Sequence, residues 1–355
     1  MKVLAVNSSP RSGGESKTEL MLNHLVQGMQ EAGAEVEVIP LRKKKINYCA
    51  GCLTCWTKTP GQCVHKDDMT LELFPKWLAA DLVVYAFPLY HWTVNAAMKA
   101  FIERTIPVVQ PFFELRNDRT THPLRQSTPK AVVLSVAGFP EMSVFDQLSV
   151  WVQFFFNELG ILVAEIYRPA AGSLPALGKK AQAIYEATRQ AGREIVVDLK
   201  VSPETMAQLT QPIGEDKKAN AAMANVFWKT CIAEKVTPKE FAEKRLMPRP
   251  DSLETFIMIL SLGFKSEAAQ GLSAVIQFHF SGEVAGSCYF KIENNRLIPV
   301  QGEAEKPDLT IESPFEVWMD ILTGKADGQK MFMEQKYKAT GDLGLLLRFG
   351  QLFGK

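Results

Sequence analysis

The sequence predicts a doubly wound α/β fold with a five-stranded parallel sheet over residues 1–199, a helical connector over 200–251 and an α+β domain over 252–355. Three observations carry this. Short runs of strand-forming residues alternate with helix-like segments through the first half, the rhythm of parallel βαβ units. Proline and charge then punctuate the chain without a new strand rhythm, as at a domain boundary. After Asp251 the order changes to a helix, alternating strands and more helices.

Val3–Val6 is the first strand and Lys17–Ala32 the first helix, with Glu35–Ile39 as the second strand. Asp67 or Asp68 is positioned to cap a helix that starts near Met69, because a short acidic side chain can accept the free first-turn N–H groups. Asp81–Ala86 and Lys130–Ala137 are continuous apolar strands, the kind buried on both faces. Val94–Arg104, Val144–Leu159 and Gly178–Leu199 read as helices, Ile161–Tyr167 as a strand, and 105–129 as irregular. The connector carries Pro203, Pro212, Gly214 and the charged stretch Glu215–Lys218, with a helical piece at Asn220–Ala233. In the last part, Leu253–Leu262 is a helix. Ser273–Phe280, Ala285–Ile292, Arg296–Val300 and Leu309–Glu312 are four antiparallel strands. Pro314–Leu322, Gly328–Glu334 and Leu343–Phe353 are helices.

Composition excludes some classes. Lys plus Arg is 40 against 39 for Asp plus Glu, so no excess charge argues for nucleic acid or an anionic membrane. The most apolar run, Val150–Tyr167, is interrupted by Gln153, Asn157, Glu158 and Gly160, which argues against a membrane span. The start of the chain has no signal-peptide pattern, and the expected location is the cytoplasm.

The chemistry is concentrated at strand ends. After Val6 the chain enters Asn7-Ser8-Ser9-Pro10-Arg11-Ser12-Gly13-Gly14-Glu15-Ser16 and restarts as a helix at Lys17. A helix start leaves backbone N–H groups unpaired and carries the positive end of the dipole, so this loop suits an anion. Neither the nucleoside-triphosphatase pattern nor the dinucleotide fingerprint is present. Ser9, Pro10, Arg11, Gly14 and Ser16 resemble the first loop of the flavodoxin-like FMN reductases, which holds the FMN phosphate. Phe87-Pro88-Leu89-Tyr90-His91-Trp92 resembles that family's loop beside the flavin ring, and Ala137-Gly138-Phe139-Pro140 the loop closing its other edge. The resemblance implies FMN bound by Ser9, Arg11, Ser16, Lys17, Thr18, Pro88, Leu89, Tyr90, His91, Trp92, Ala137 and Gly138. It implies NAD(P)H as donor and no catalytic side chain, because the flavin does the hydride chemistry. The plain reading is an ordinary strand–loop–helix turn, with Tyr90 and Trp92 as packing anchors.

Four of the six cysteines form Cys49-x2-Cys52-x2-Cys55-x7-Cys63 inside the loop 46–68. In a reducing compartment, such a group points to a metal or redox site rather than a disulfide framework. The opening spacing is that of a ferredoxin run, while zinc, structural thiols or reactive thiols remain alternatives. Through Cys63–Met69 the stretch resembles the cysteine motif of the iron–sulfur flavoproteins. That resemblance implies a 4Fe–4S cluster on Cys49, Cys52, Cys55 and Cys63, electron transfer with FMN, and a homo-oligomer.

Ala274–Gly282, Pro307–Ile311, Trp318 with Leu322–Lys325, and Thr340–Asp342 resemble the sterol carrier protein type-2 domain. This implies a curved sheet with helices around an apolar tunnel and a possible lipid ligand. The apolar helix Leu343–Phe353 then lines or lids the tunnel, or simply packs on the sheet; Asp308 and Asp342 suit turns or caps. The expected function is an FMN-dependent oxidoreductase, of the NAD(P)H:flavin or quinone type or linked to a ferredoxin-like donor, with a small-molecule acceptor that the fused domain would allow to be hydrophobic. The alternative is a non-enzymatic electron-transfer flavoprotein or lipid carrier.

Overall fold

The computed structural model describes residues 1–116, 118–157, 159–213 and 216–354. Glu158, Gly214 and Glu215, named above, lie outside the described residues. The chain forms two compact units, Met1–Glu215 and Asp216–Lys355. The helices of 200–251 divide between them.

In the first unit, β1 (Lys2–Asn7), α1 (Lys17–Glu31), β2 (Glu35–Pro40), α2 (Phe74–Ala79), β3 (Leu82–Pro88) and α3 (Ala96–Glu103) follow in order. Next come a small hairpin, β4 (Glu114–Arg116) and β5 (Arg119–Thr121), then β6 (Lys130–Val136), α4 (Asp146–Val152), β7 (Leu162–Arg168), α5 (Lys179–Asp198) and α6 (Pro203–Thr210). The main sheet is five-stranded, in the order β2-β1-β3-β6-β7, with every pairing parallel. Alternate residues of one strand serve opposite cores. Val3, Ala5, Leu82 and Val84 meet α1, α5 and α6; Leu4, Val6, Val83 and Tyr85 meet α2, α3 and α4. The apolar runs are therefore continuous because both faces are covered. Helices α1 and α5 touch backbone to backbone: a Cβ on Gly28 would lie 1.8 Å from the Arg189 carbonyl oxygen, and one on Gly192 2.1 Å from that of Leu25.

Two expectations are corrected here. The 105–129 segment is not wholly irregular, because β4 and β5 pair antiparallel; their three-residue strands are too short to leave a periodic signal. The helices expected near Met69 and over Val144–Leu159 are not uniform. The first opens with a π-turn, Met69–Leu73, and α4 is flanked by a 3-10 turn, Met142–Phe145, and a π-turn, Gln153–Asn157.

The second unit contains α7 (Lys217–Glu234), α8 (Pro238–Glu243), α9 (Leu253–Gly263), β8 (Ala274–Ser281), β9 (Gly286–Glu293), β10 (Arg296–Gln301) and β11 (Leu309–Pro314). It ends with α10 (Phe315–Thr323), α11 (Gly328–Met333), β12 (Lys338–Gly341) and α12 (Leu343–Phe353). The expected four antiparallel strands are corrected to five, in the order β10-β9-β8-β11-β12, and β8 pairs with β11 in parallel. Strand β12 is Lys-Ala-Thr-Gly, with no apolar alternation; its pairing to β11 defines it. Asp342 caps α12 by accepting the Gly344 N–H, and Asp308 accepts the Val275 N–H, so both serve as backbone ties.

Candidate active site and cysteine loop

The sheet order makes β1, β3 and β6 neighbours, so the three loops that follow them emerge side by side at the carboxyl rim. Backbone bonds stitch the loops together. Ser8 N–H donates to the Ala86 carbonyl (2.9 Å), Leu89 N–H to Val136 (2.9 Å), and Ala137 N–H to Arg168 (3.0 Å). Asn95, which the sequence reading did not single out, ties the first loop to the second. As N-cap of α3 it accepts from the Ser8 hydroxyl (2.6 Å) and donates to the Ser8 carbonyl (2.8 Å). The signal was present: an Asn directly before Ala-Ala-Met-Lys-Ala-Phe is a capping residue.

The first loop has the chemistry of an anion cradle. Ser9, Ser16 and Thr18 are buried. The Ser16 hydroxyl caps α1 by accepting the Glu19 N–H and donates to the Ser9 hydroxyl (2.8 Å). Lys17 and Thr18 stand in the first turn, where backbone N–H groups have no acceptor within the helix. The Thr18 hydroxyl has no partner among the described residues, and the Arg11 guanidinium makes no ion pair there. Burial, then the charge of Arg11, lowers the Lys17 ammonium below its usual value, with Glu15 opposing. Unpaired donors, two cations and a helix start together fit a phosphate group.

The second loop is strained. Pro88 ends β3, and Leu89 follows it. Tyr90 and Thr93 exchange backbone hydrogen bonds across His91 and Trp92, whose φ values are +47° and +60°. Two left-handed residues that are neither Gly nor Asn in one tight turn cost about 1–2 kcal/mol each. Tyr90 and Trp92 stay about half exposed, at 45 % and 53 %. They are thus available as cover for a flat ring rather than spent as core anchors. In the third loop Ala137 is buried and Gly138 exposed, with open space around a Cβ at Gly138.

The cysteine loop leaves the end of β2 and returns at the π-turn before α2. Arg104, at the C-terminal end of α3, closes it. The guanidinium grips Asp67 through two bonds (2.7 and 3.0 Å) and donates to the Asn47 carbonyl (2.6 Å) and the Thr70 hydroxyl (2.8 Å). Asp67 also accepts the N–H groups of Asn47 and Thr70. Burial alone would raise the Asp67 carboxyl; the Arg104 and backbone hydrogen bonds outweigh it and hold the group well below the carboxylate range. Cys49, Cys55 and Cys63 are half-buried and Cys52 exposed. The Cys55 thiol is raised by burial first and then by Cys63, with a backbone hydrogen bond opposing and Cys49 and Cys52 adding to the rise. Among the described residues, no three or more His, Cys, Asp or Glu groups are gathered as metal ligands. Four thiols on one short loop are nevertheless the donor chemistry of an iron–sulfur cluster.

A doubly wound parallel sheet in this strand order, with loops side by side at neighbouring carboxyl ends, defines a flavodoxin-like α/β protein. Residues 1–139 match the family model of the NADPH-dependent FMN reductases, and residues 260–354 that of the SCP-2 sterol transfer family. Both resemblances read from the motifs are thereby borne out. An iron–sulfur flavoprotein of Archaeoglobus fulgidus is 41 % identical over 107 residues, covering 30 % of this chain and 46 % of that protein. An FMN-dependent NADH:quinone oxidoreductase of Erythrobacter litoralis is 27 % identical over 177 residues, covering 48 % of this chain and 87 % of that protein. The solved azoreductase of Bacillus anthracis covers 55 % of this chain and 98 % of its own, at 17 % identity and a TM-score of 0.41. The chain spans about half the length of the iron–sulfur flavoproteins it matches. Among the described residues no helix is long and apolar enough to cross a membrane.

Proposed function

We propose that the first unit is an FMN-dependent oxidoreductase that takes electrons from NAD(P)H and passes them to a small, hydrophobic acceptor. The observation that carries it is the convergence of three ligand loops at one rim, one of them a helix start with unpaired donors. Ser9, Arg11, Ser16, Lys17 and Thr18 would hold the phosphate. Pro88, Leu89, Tyr90, His91, Trp92, Ala137 and Gly138 would border the ring, where backbone donors and aromatic cover meet. Bound FMN supplies hydride acceptance and one-electron release. The chain's own part is to hold the phosphate end on fixed N–H groups and to keep the ring edge dry between the second and third loops.

Cys49, Cys52, Cys55 and Cys63 would hold a 4Fe–4S cluster, with the Arg104–Asp67 pair pinning the loop ends. In the second unit, a cavity of about 570 Å³ between α10, α11 and α12 is lined by Trp318, Leu322, Leu346, Phe349 and other apolar side chains. It has the size and lining of a small-molecule site, and we assign it to an apolar lipid. A homo-oligomer in the cytoplasm remains part of the reading. The test is the spectrum of anaerobically purified protein, followed on addition of NADH or NADPH. Flavin bands that bleach with a reduced nucleotide, over a broad iron–sulfur absorption, are expected. No flavin after incubation with FMN would overturn the oxidoreductase reading, and flavin without iron would overturn only the cluster. Bleaching by ferredoxin alone would favour an electron carrier.

A further inference from the structure

A second cavity lies in the first unit, of about 330 Å³, away from the three loops. Its walls come from the C-terminal end of α3, the β4–β5 hairpin, the π-turn after α4, and Ile161 and Thr128, which precede β7 and β6. These are amino-end positions of the sheet, opposite the rim that carries the flavin loops. The floor is aromatic: Trp77, Tyr85 and Phe156, with the Tyr85 and Phe156 rings 5.0 Å apart. Tyr85 is 3 % exposed. Its hydroxyl oxygen accepts from Trp77 Nε1 (2.8 Å), but among the described residues its own proton meets no acceptor. A buried phenol proton left without an acceptor is costly unless something in the cavity takes it. Arg116 and Arg119 stand at the mouth, the Arg116 guanidinium bonded to the Glu114 carboxylate (3.1 Å) and the Arg119 guanidinium 5.7 Å from the Phe154 ring centroid.

We propose that this cavity is a second ligand site, for a planar molecule of one or two fused rings bearing a ring carbonyl, of the quinone class. The aromatic walls take the ring faces. The Tyr85 hydroxyl donates to a ring carbonyl. The volume is at the small end of ligand pockets, which excludes a whole flavin or nicotinamide nucleotide. The site adjoins the cysteine loop: His122, in its wall, packs against Trp56 at 4.9 Å between ring centroids, and Arg125 donates to the Cys55 carbonyl. The inference builds on the oxidoreductase reading by giving an acceptor a seat beside the thiols, separate from the flavin rim.

The test is calorimetric titration of the FMN-loaded full chain with 2-methyl-1,4-naphthoquinone, in saturating NADP⁺ to block the flavin rim. Binding is expected to survive NADP⁺. Tyr85→Phe, which removes one hydrogen bond, should weaken it about five- to tenfold. The same variant should leave the affinity for 2-methylnaphthalene, which has no carbonyl, unchanged. Because Tyr85→Phe also leaves the Trp77 N–H unpaired, Val109→Trp, which fills the cavity, is the second variant and should abolish quinone binding. Loss of all binding in NADP⁺, or wild-type affinity in both variants, would overturn the proposal. Oxidation of NAD(P)H with ferricyanide reports on the flavin reading alone and should persist in both variants.

Discussion

The Arg104 guanidinium and the Asp67 carboxylate form a bidentate ion pair, 1 % and 0 % exposed, that joins the end of α3 to the returning end of the cysteine loop. Charges this deep are held by mutual pairing together with the hydrogen bonds to Asn47 and Thr70, and removing one partner costs about 3–5 kcal/mol. Asp67→Asn should lower the stability of the first unit by that order and make Cys49, Cys55 and Cys63 react faster with a thiol reagent. The pH dependence has a definite sign. The folded carboxyl is depressed, so its contribution is complete above the unfolded value of about 4 and is lost as pH falls toward the folded one. Wild type should therefore lose stability more steeply than Asp67→Asn below about pH 4, as read by urea midpoints across pH.

Thr18 separates the phosphate reading from a plain turn. Among the described residues its hydroxyl has no partner, unlike that of Ser16, which caps α1. Thr18→Val should leave the melting temperature nearly unchanged and weaken FMN about tenfold, the scale of a hydrogen bond to a charged group. Quenching of flavin fluorescence measures it. Unchanged affinity would remove Thr18 from the cradle.

The turn at His91 and Trp92 sets stability against binding. Trp92→Gly relieves one left-handed residue and loses a half-exposed side chain, so the apoprotein should gain about 0.5–1 kcal/mol. FMN should bind more weakly, because a ring cover is gone. Differential scanning calorimetry with and without FMN reads both effects. A variant that loses stability would mean that the indole is a packing anchor after all.

The cavity of the second unit has Asp327 as its one charged lining residue among those described. Asp327 also caps α11, accepting the Lys330 N–H at 2.8 Å. A carboxylate at the wall with no cation opposite disfavours anionic ligands. Dehydroergosterol, a neutral sterol, should bind more tightly than cis-parinarate, a fluorescent fatty acid, at pH 8. Asp327→Asn, which retains a capping side chain, should narrow the gap about fivefold, the scale of one charge contact in a partly screened site.

The periodic parts of this protein were legible as written. Strands β1, β3 and β6 announced themselves because burial on both faces demands unbroken apolar runs. The first helix announced itself because Ser16 and the loop before it are chemically matched to its open N–H groups. The cysteine spacing was equally plain, since it is a local pattern. What escaped was short or remote in sequence. Strand β12 has no alternation and is defined only by its partner β11. The β4–β5 hairpin is too brief to show a period.

The sequence by itself determined the strand order's raw material, the three loops and the thiol-bearing segment, because each depends on neighbours along the chain. Only the tertiary structure decided that Arg104 reaches back 37 residues to Asp67, that Asn95 locks onto Ser8 across 87, and that the Tyr85 proton meets no acceptor among the described residues in a second cavity. Those are facts of packing: a buried polar group takes whichever partner the fold brings near, and one-dimensional spacing carries no record of that choice.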